Sequence, residues 1–157
     1  MIDDPYPFEH PANALILEVF RLNGALIAAG DDVVKPLGLT SARWQVMGSV
    51  AQGKGGFTVA QLARNMGLAR QSVQRIVDEM LGAGIFELAE NPAHKRAKLV
   101  RPTKEGERLF EAALFRWLPL ADALAEEAGA GELQRMTAVL QRLRVRLEGE
   151  PGEGGER

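Results

Sequence analysis

Apolar residues recur at helical spacing through most of the chain. Leu15, Val19, Leu22 and Leu26 mark one face of a segment from Asn13 to about Val34, which Lys35-Pro36-Leu37-Gly38 ends. Thr40 is an N-cap for a helix from Ser41 to about Gln52, and Gly53-Lys54-Gly55-Gly56 turns the chain after it. Thr58 and Gln61 have capping-box spacing, with Phe57 and Leu62 placed as a hydrophobic staple, so a short helix begins there and stops near Gly67. From about Arg70 to Leu81 the residues Val73, Ile76, Val77, Met80 and Leu81 fall at i, i+3, i+4, i+7, i+8, which predicts a helix with one buried and one free face. Gly82 and Gly84 end it.

The period then changes. Ile85-Phe86-Glu87-Leu88 and Ala97-Lys98-Leu99-Val100 are short strand-like segments joined by a loop that carries Asn91-Pro92 and the run His94-Lys95-Arg96, a hairpin with a charged tip. Pro102-Thr103 opens a long helix to about Glu127. A last one, Glu132 to Leu147, carries Leu133, Met136, Leu140, Leu143 and Leu147 at 3,4,3,4 spacing. The stretch before Pro11 reads as irregular, and the Gly- and Glu-rich tail 149–157 as disordered.

The balance of 46% hydrophobic and 25% charged residues is that of a globular protein. No uninterrupted apolar run approaches the roughly 20 residues of a membrane span, and the acidic start is not a secretory signal, so a cytoplasmic protein without a membrane partner is expected. The absence of cysteine excludes disulfides and thiolate metal sites, and two distant histidines, His10 and His94, suggest no metal; no cofactor is expected. The formal net charge of −2 argues against a nucleic-acid partner until its distribution is considered. Between Lys54 and Lys104 there are nine Lys/Arg and four Asp/Glu, a charge of +5, against ten and seventeen elsewhere, a charge of −7. A basic middle between acidic ends is the footprint of a DNA-reading segment.

Within that segment Ala63 supplies a small side chain at a helix crossing, Gly67 a turn, and Val73 and Ile76 apolar contacts facing back inward. These are the steric demands of a helix-turn-helix, whose second helix enters the major groove. Arg70, Gln71, Ser72, Gln74 and Arg75 are left outside, all of them side chains that hydrogen-bond base edges and phosphates, with no carboxylate before Asp78. A generic amphipathic helix pair needs neither this composition nor a basic-tipped hairpin after it. The fold class expected is therefore mainly α with a small β-hairpin wing, a winged helix-turn-helix flanked by N- and C-terminal dimerisation helices.

The segments Leu39 to Met47, Val59 to Ala63, Ser72 to Met80, Gly84-Ile85 and His94 to Gly106 follow one another in the order and spacing of the MarR family of bacterial regulators, which the chain resembles over nearly its whole length. The last segment is similar to that family's wing signature, Asp-Arg-Arg followed by Leu-Thr and Gly. It departs from that signature at His94, which replaces the acidic residue, at Lys95, which replaces the first arginine, and at Pro102, which replaces the leucine. The resemblance implies Ser72, Gln74 and Arg75 on the recognition helix and Lys95 or Arg96 on a wing tip in the minor groove. His94, where the sequence departs from the signature, reads as a solvated loop residue that supplies a further phosphate donor. It implies dimerisation helices over 1–35 and 105–148 around a DNA-binding lobe over 36–104. The expected partners are double-stranded DNA, a second copy of the chain, and a small aromatic or phenolic effector. His10, Phe20 and Trp44 are the effector candidates, chosen by polarity and expected location. The expected function is a ligand-responsive repressor on an inverted-repeat operator, with no enzymatic activity.

Two other readings compete. A winged helix also serves as a protein-interaction module that never touches DNA, which the basic helix face opposes. Gly48-Ser49-Val50-Ala51-Gln52-Gly53-Lys54-Gly55 comes within one residue of a phosphate-binding P-loop, but Gly55 lacks the hydroxyl that holds Mg²⁺, and a helix rather than a strand precedes it.

Overall fold

The computed structural model describes residues 10–149. The element order is α1 (Pro11–Val34), a 3-10 turn (Lys35–Leu37), α2 (Ser41–Ala51), α3 (Val59–Met66), α4 (Arg70–Gly82), β1 (Phe86–Ala89), β2 (Leu99–Pro102), α5 (Lys104–Ala128) and α6 (Ala130–Glu148). The segment before His10 and the tail 150–157, expected to be irregular and disordered, lie outside the described residues. The chain divides into two compact units inside α5, one ending at Trp117 and the other beginning at Leu118.

The first unit is built around one apolar cluster. Val34 and Leu39 from the α1–α2 junction meet Val46 and Val50 of α2, Leu62 of α3, Val73, Val77 and Met80 of α4, and Phe86 and Val100 of the hairpin. Local chemistry brings these elements in. Thr58 accepts from Gln61 N at 3.2 Å while Gln61 Oε1 accepts from Thr58 N at 2.9 Å, closing the capping box of α3. Phe57 packs against the cluster that contains the fully buried Leu62. Gly67 caps α3 at φ 63°, a left-handed conformation that costs glycine least and lets α4 cross α3 within a short turn. At the start of α2, Thr40 accepts from Arg43 N at 3.3 Å and Asp31 of α1 accepts from Ser41 N at 2.6 Å.

The hairpin is antiparallel, with Phe86 opposite Pro102 and Leu88 opposite Val100. Both strands begin one or two residues later than their sequence pattern predicts. The loop between them folds into its own turns: Asn91 Oδ1 accepts from Ala93 N, and His94 O from Ala97 N, which withdraws Ala97 from the ladder. Pro102, expected to open the long helix, closes β2 instead. Thr103 is the residue that starts α5, accepting from Gly106 N at 3.1 Å and donating to Gly84 O at 2.7 Å. Gly82 lies within α4, so the left-handed turn after that helix falls at Gly84 alone, at φ 71°. Phe57 also bridges to Val100, an edge contact that no local pattern announces.

Pro11–Leu37 is, by length and composition, apolar enough to cross a membrane. Glu18, Arg21 and Asn23 break its apolar runs, so no uninterrupted apolar stretch marks it in the sequence. Its apolar residues are largely open: Ile16, Leu17, Phe20 and Leu22 are between 47 and 68% exposed. In the second unit Gly129 separates the end of α5 from α6, where no residue is buried and Met136, Leu140, Leu143 and Leu147 are exposed.

Gly106 packs so closely on the hairpin that a Cβ there would collide with the carbonyl oxygen of Ile85. Gly106→Ala must move backbone, and it is expected to destabilise the protein by about 1–3 kcal/mol. A thermal melt superimposable on wild type would contradict this packing.

Candidate nucleic-acid interface

The rotation of α4 about its axis decides what faces outward. Val73 and Val77 have no exposed surface, Met80 has 1% and Ile76 has 5%, so the complementary face is presented whole. Arg70, Gln71, Ser72, Gln74 and Arg75 are all exposed, as their sequence pattern predicts. At the hairpin tip His94, Lys95 and Arg96 are exposed as well. Arg96 shares a groove of about 200 Å³ with Arg70, Gln74 and Asp78, whose floor is largely apolar, with Val59, Val77, Leu88 and Val100, so the helix and the wing place their polar side chains on the rims of one groove.

Part of that surface is paired internally. Gln74 Nε2 donates to Asp78 Oδ1 at 2.8 Å, and Arg75 Nη1 to Glu79 Oε1 at 2.6 Å, both one helical turn along α4. Arg43 reaches across from α2 and donates to Glu79 Oε2 from Nη2 at 3.0 Å and Nε at 3.3 Å. Glu79 is thus shared by two arginines, one on each oxygen. Sequence reasoning missed Arg43 and Glu79, because they are 36 positions apart and only the packing of α2 against α4 joins them. The wing has its own tie, an ion pair between Lys98 and Glu90. Arg101 Nε donates to Gly55 O at 2.8 Å, anchoring β2 to the turn after α2.

The effector candidates are not gathered within one chain. Trp44 meets Trp117 edge-on at 5.2 Å between centroids and lies beside Gly30. Phe20 and His10 sit 10 and 20 residues before Gly30 on the same helix, about 15 and 30 Å away at the helical rise. His10 caps α1, its Nδ1 accepting from Ala12 N at 3.1 Å, and Phe20 is 68% exposed. The P-loop reading fails structurally, since Gly48 to Ala51 are helical and no strand leads into them.

A packed helix pair joined through a glycine turn, followed by a two-stranded hairpin beside the second helix, defines a winged helix-turn-helix protein. The family model of the MarR family matches residues 37–97, from the 3-10 turn to the wing tip. The chain is 35% identical over 136 residues to an uncharacterized protein of Mycobacterium tuberculosis, covering 87% of this chain and 94% of that one. Its fold is similar to CouR from Rhodococcus jostii bound to p-coumaroyl-CoA, with a TM-score of 0.77, 22% identity, and 91% and 96% of the two chains covered. It is also similar to a mutant MarR from E. coli complexed with operator DNA, with a TM-score of 0.73, 21% identity, and 83% and 93% covered. The chain belongs to the MarR family, which is a family of transcriptional regulators and not of enzymes.

The Glu79 carboxyl is held below its ordinary range, first by the hydrogen bond from Arg43 and then by Arg75, with partial desolvation pulling the other way. A depressed folded-state value means that the carboxylate's contribution to stability is present above the ordinary carboxylate range and lost as pH falls through the lowered value. Glu79→Gln is therefore expected to lose less melting temperature than wild type between neutral and strongly acidic pH. Parallel curves for the two proteins would show that the bridge does not contribute.

Proposed function

We propose that the protein is a ligand-responsive transcriptional repressor that binds an inverted-repeat operator in double-stranded DNA as a homodimer. The observation that carries this reading is the exposed face of α4 from Arg70 to Arg75, made of arginines, amides and a serine, sharing a groove with the cationic tip of the wing. Gln74 and Arg75 read base edges in the major groove. Arg70, Gln71 and Ser72 hold the helix to phosphates, and His94, Lys95 and Arg96 hold the wing to the backbone and minor groove. The relative complexed with operator DNA has the same fold, which supports this use of the surface.

Residues 36–104 form the DNA-binding lobe; of the expected 1–35 the described part from His10 onward, together with 105–148, forms the dimerisation helices. The support is the apolar surface that α1 and α6 leave open, which a second copy would cover. Such a use also accounts for the apolar length of α1 without a membrane, since Glu18 and Arg21 would be costly inside a bilayer. A soluble cytoplasmic protein follows. The effector is a small aromatic or phenolic compound, by analogy with the relative bound to p-coumaroyl-CoA. Trp44 is its candidate anchor, and His10 and Phe20 join such a pocket only from the second copy's N-terminal helix, given their distance along α1.

The test uses a site selected from genomic fragments and a random duplex. Arg75→Ala should cost about 1–3 kcal/mol on the selected site and narrow the gap to mismatched ones. Replacing Lys95 and Arg96 by Ala should weaken all duplexes together and lower the salt dependence by roughly one unit of slope per lost phosphate contact. Equal losses on both duplexes for Arg75→Ala would mean that α4 does not read sequence. Unchanged affinity in both variants would leave the winged helix as a protein-interaction module.

A further inference from the structure

Glu79 stands where a carboxylate is unwelcome, on the helix proposed to enter the major groove, one turn from the arginine proposed to read a base. A side chain there that merely repelled phosphate would weaken binding. Its geometry suggests a different role. One oxygen, Oε2, is taken by Nε and Nη2 of Arg43, which fixes the carboxylate against α2. The other, Oε1, accepts from Nη1 of Arg75 at 2.6 Å. Glu79 is about one-third exposed and Arg75 about two-thirds, so the arginine's far edge is open while its near edge is tied. A free arginine samples many rotamers and can reach several base edges or a phosphate, whereas one held on one nitrogen presents its remaining donors in a fixed plane. A planar pair of donors matches the two acceptors of guanine, O6 and N7, and no other base edge in the major groove.

We infer that Glu79, itself locked by Arg43, is a positioning residue that holds the Arg75 guanidinium in one plane and makes it selective for guanine. This rests on the reading of α4 as the recognition helix. The carboxylate pays for selectivity with general affinity, because its negative charge lies close to the DNA backbone. Removing it should therefore move the two quantities in opposite directions, which loss of structure would not do.

The experiment measures binding of the full-length protein to its selected duplex, to the same duplex with each half-site guanine replaced in turn, and to random DNA. Wild type should show one guanine whose replacement is most damaging. Glu79→Gln should reduce the penalty at that guanine by about threefold to tenfold, the size of an ordinary coupling between contacting groups, while affinity for random DNA rises. Glu79→Asp keeps the charge but shortens the reach, so its random-DNA affinity should stay near wild type while the penalty falls. In an Arg75→Ala background, Glu79→Gln should have no further effect on guanine discrimination. Retained discrimination in both Glu79 variants, or the same loss with and without Arg75, would overturn the inference while leaving α4 as the reading helix. A wild type that prefers no duplex would remove that reading and this inference with it.

Discussion

Val73, Ile76, Val77 and Met80 are nearly or wholly withdrawn from solvent, and their burial fixes the rotation of α4. Each such side chain is worth roughly 1.5–3 kcal/mol when removed from water. Turning the helix by one residue would expose part of that stripe and push a glutamine or an arginine into the apolar cluster, where an unpaired polar group is costly. The same constraint delivers Arg70, Gln71, Gln74 and Arg75 outward together. Around it the other elements act as supports: the capping box fixes where α3 begins, Gly67 sets the crossing, and the hairpin folds back because Phe86 and Val100 join the same cluster. In this protein the core and the surface that would meet DNA are two faces of one helix.

The neighbouring electrostatics modify that surface rather than create it. Asp78 and Glu79 lie one turn beyond Gln74 and Arg75 and engage both in the free protein. The face is consequently pre-organised, with two of its side chains holding defined directions before any ligand arrives. Arg43 extends this order to α2, so the outward face of α4 is tied to the helix behind it as well as to the core beneath.

Most of the fold was legible because its signals are local. Thr58 with Gln61, the i, i+3, i+4 stripe of α4 and the glycine at 67 each specify structure within a few residues, and all appear as expected. The hairpin was legible in kind but displaced, because the turns made by Asn91 and His94 and the cap made by Thr103 compete with strand propensity at both ends. What could not be read were contacts across the fold: Phe57 with Val100, Arg101 with Gly55, and Arg43 with Glu79. The outward residues of α4 were legible as exposed, but their internal pairing was not, since a carboxylate one turn away was read as the end of the face rather than as part of it.

The central claim is that two copies of α4, related by two-fold symmetry, read sequence in successive major grooves. Selection of bound fragments from random or genomic duplexes by the purified protein, followed by sequencing, tests this most directly. An inverted repeat with half-site centres about 10 bp apart is the predicted result. Recovery of no enriched motif, or of half-sites in direct repeat, would contradict it.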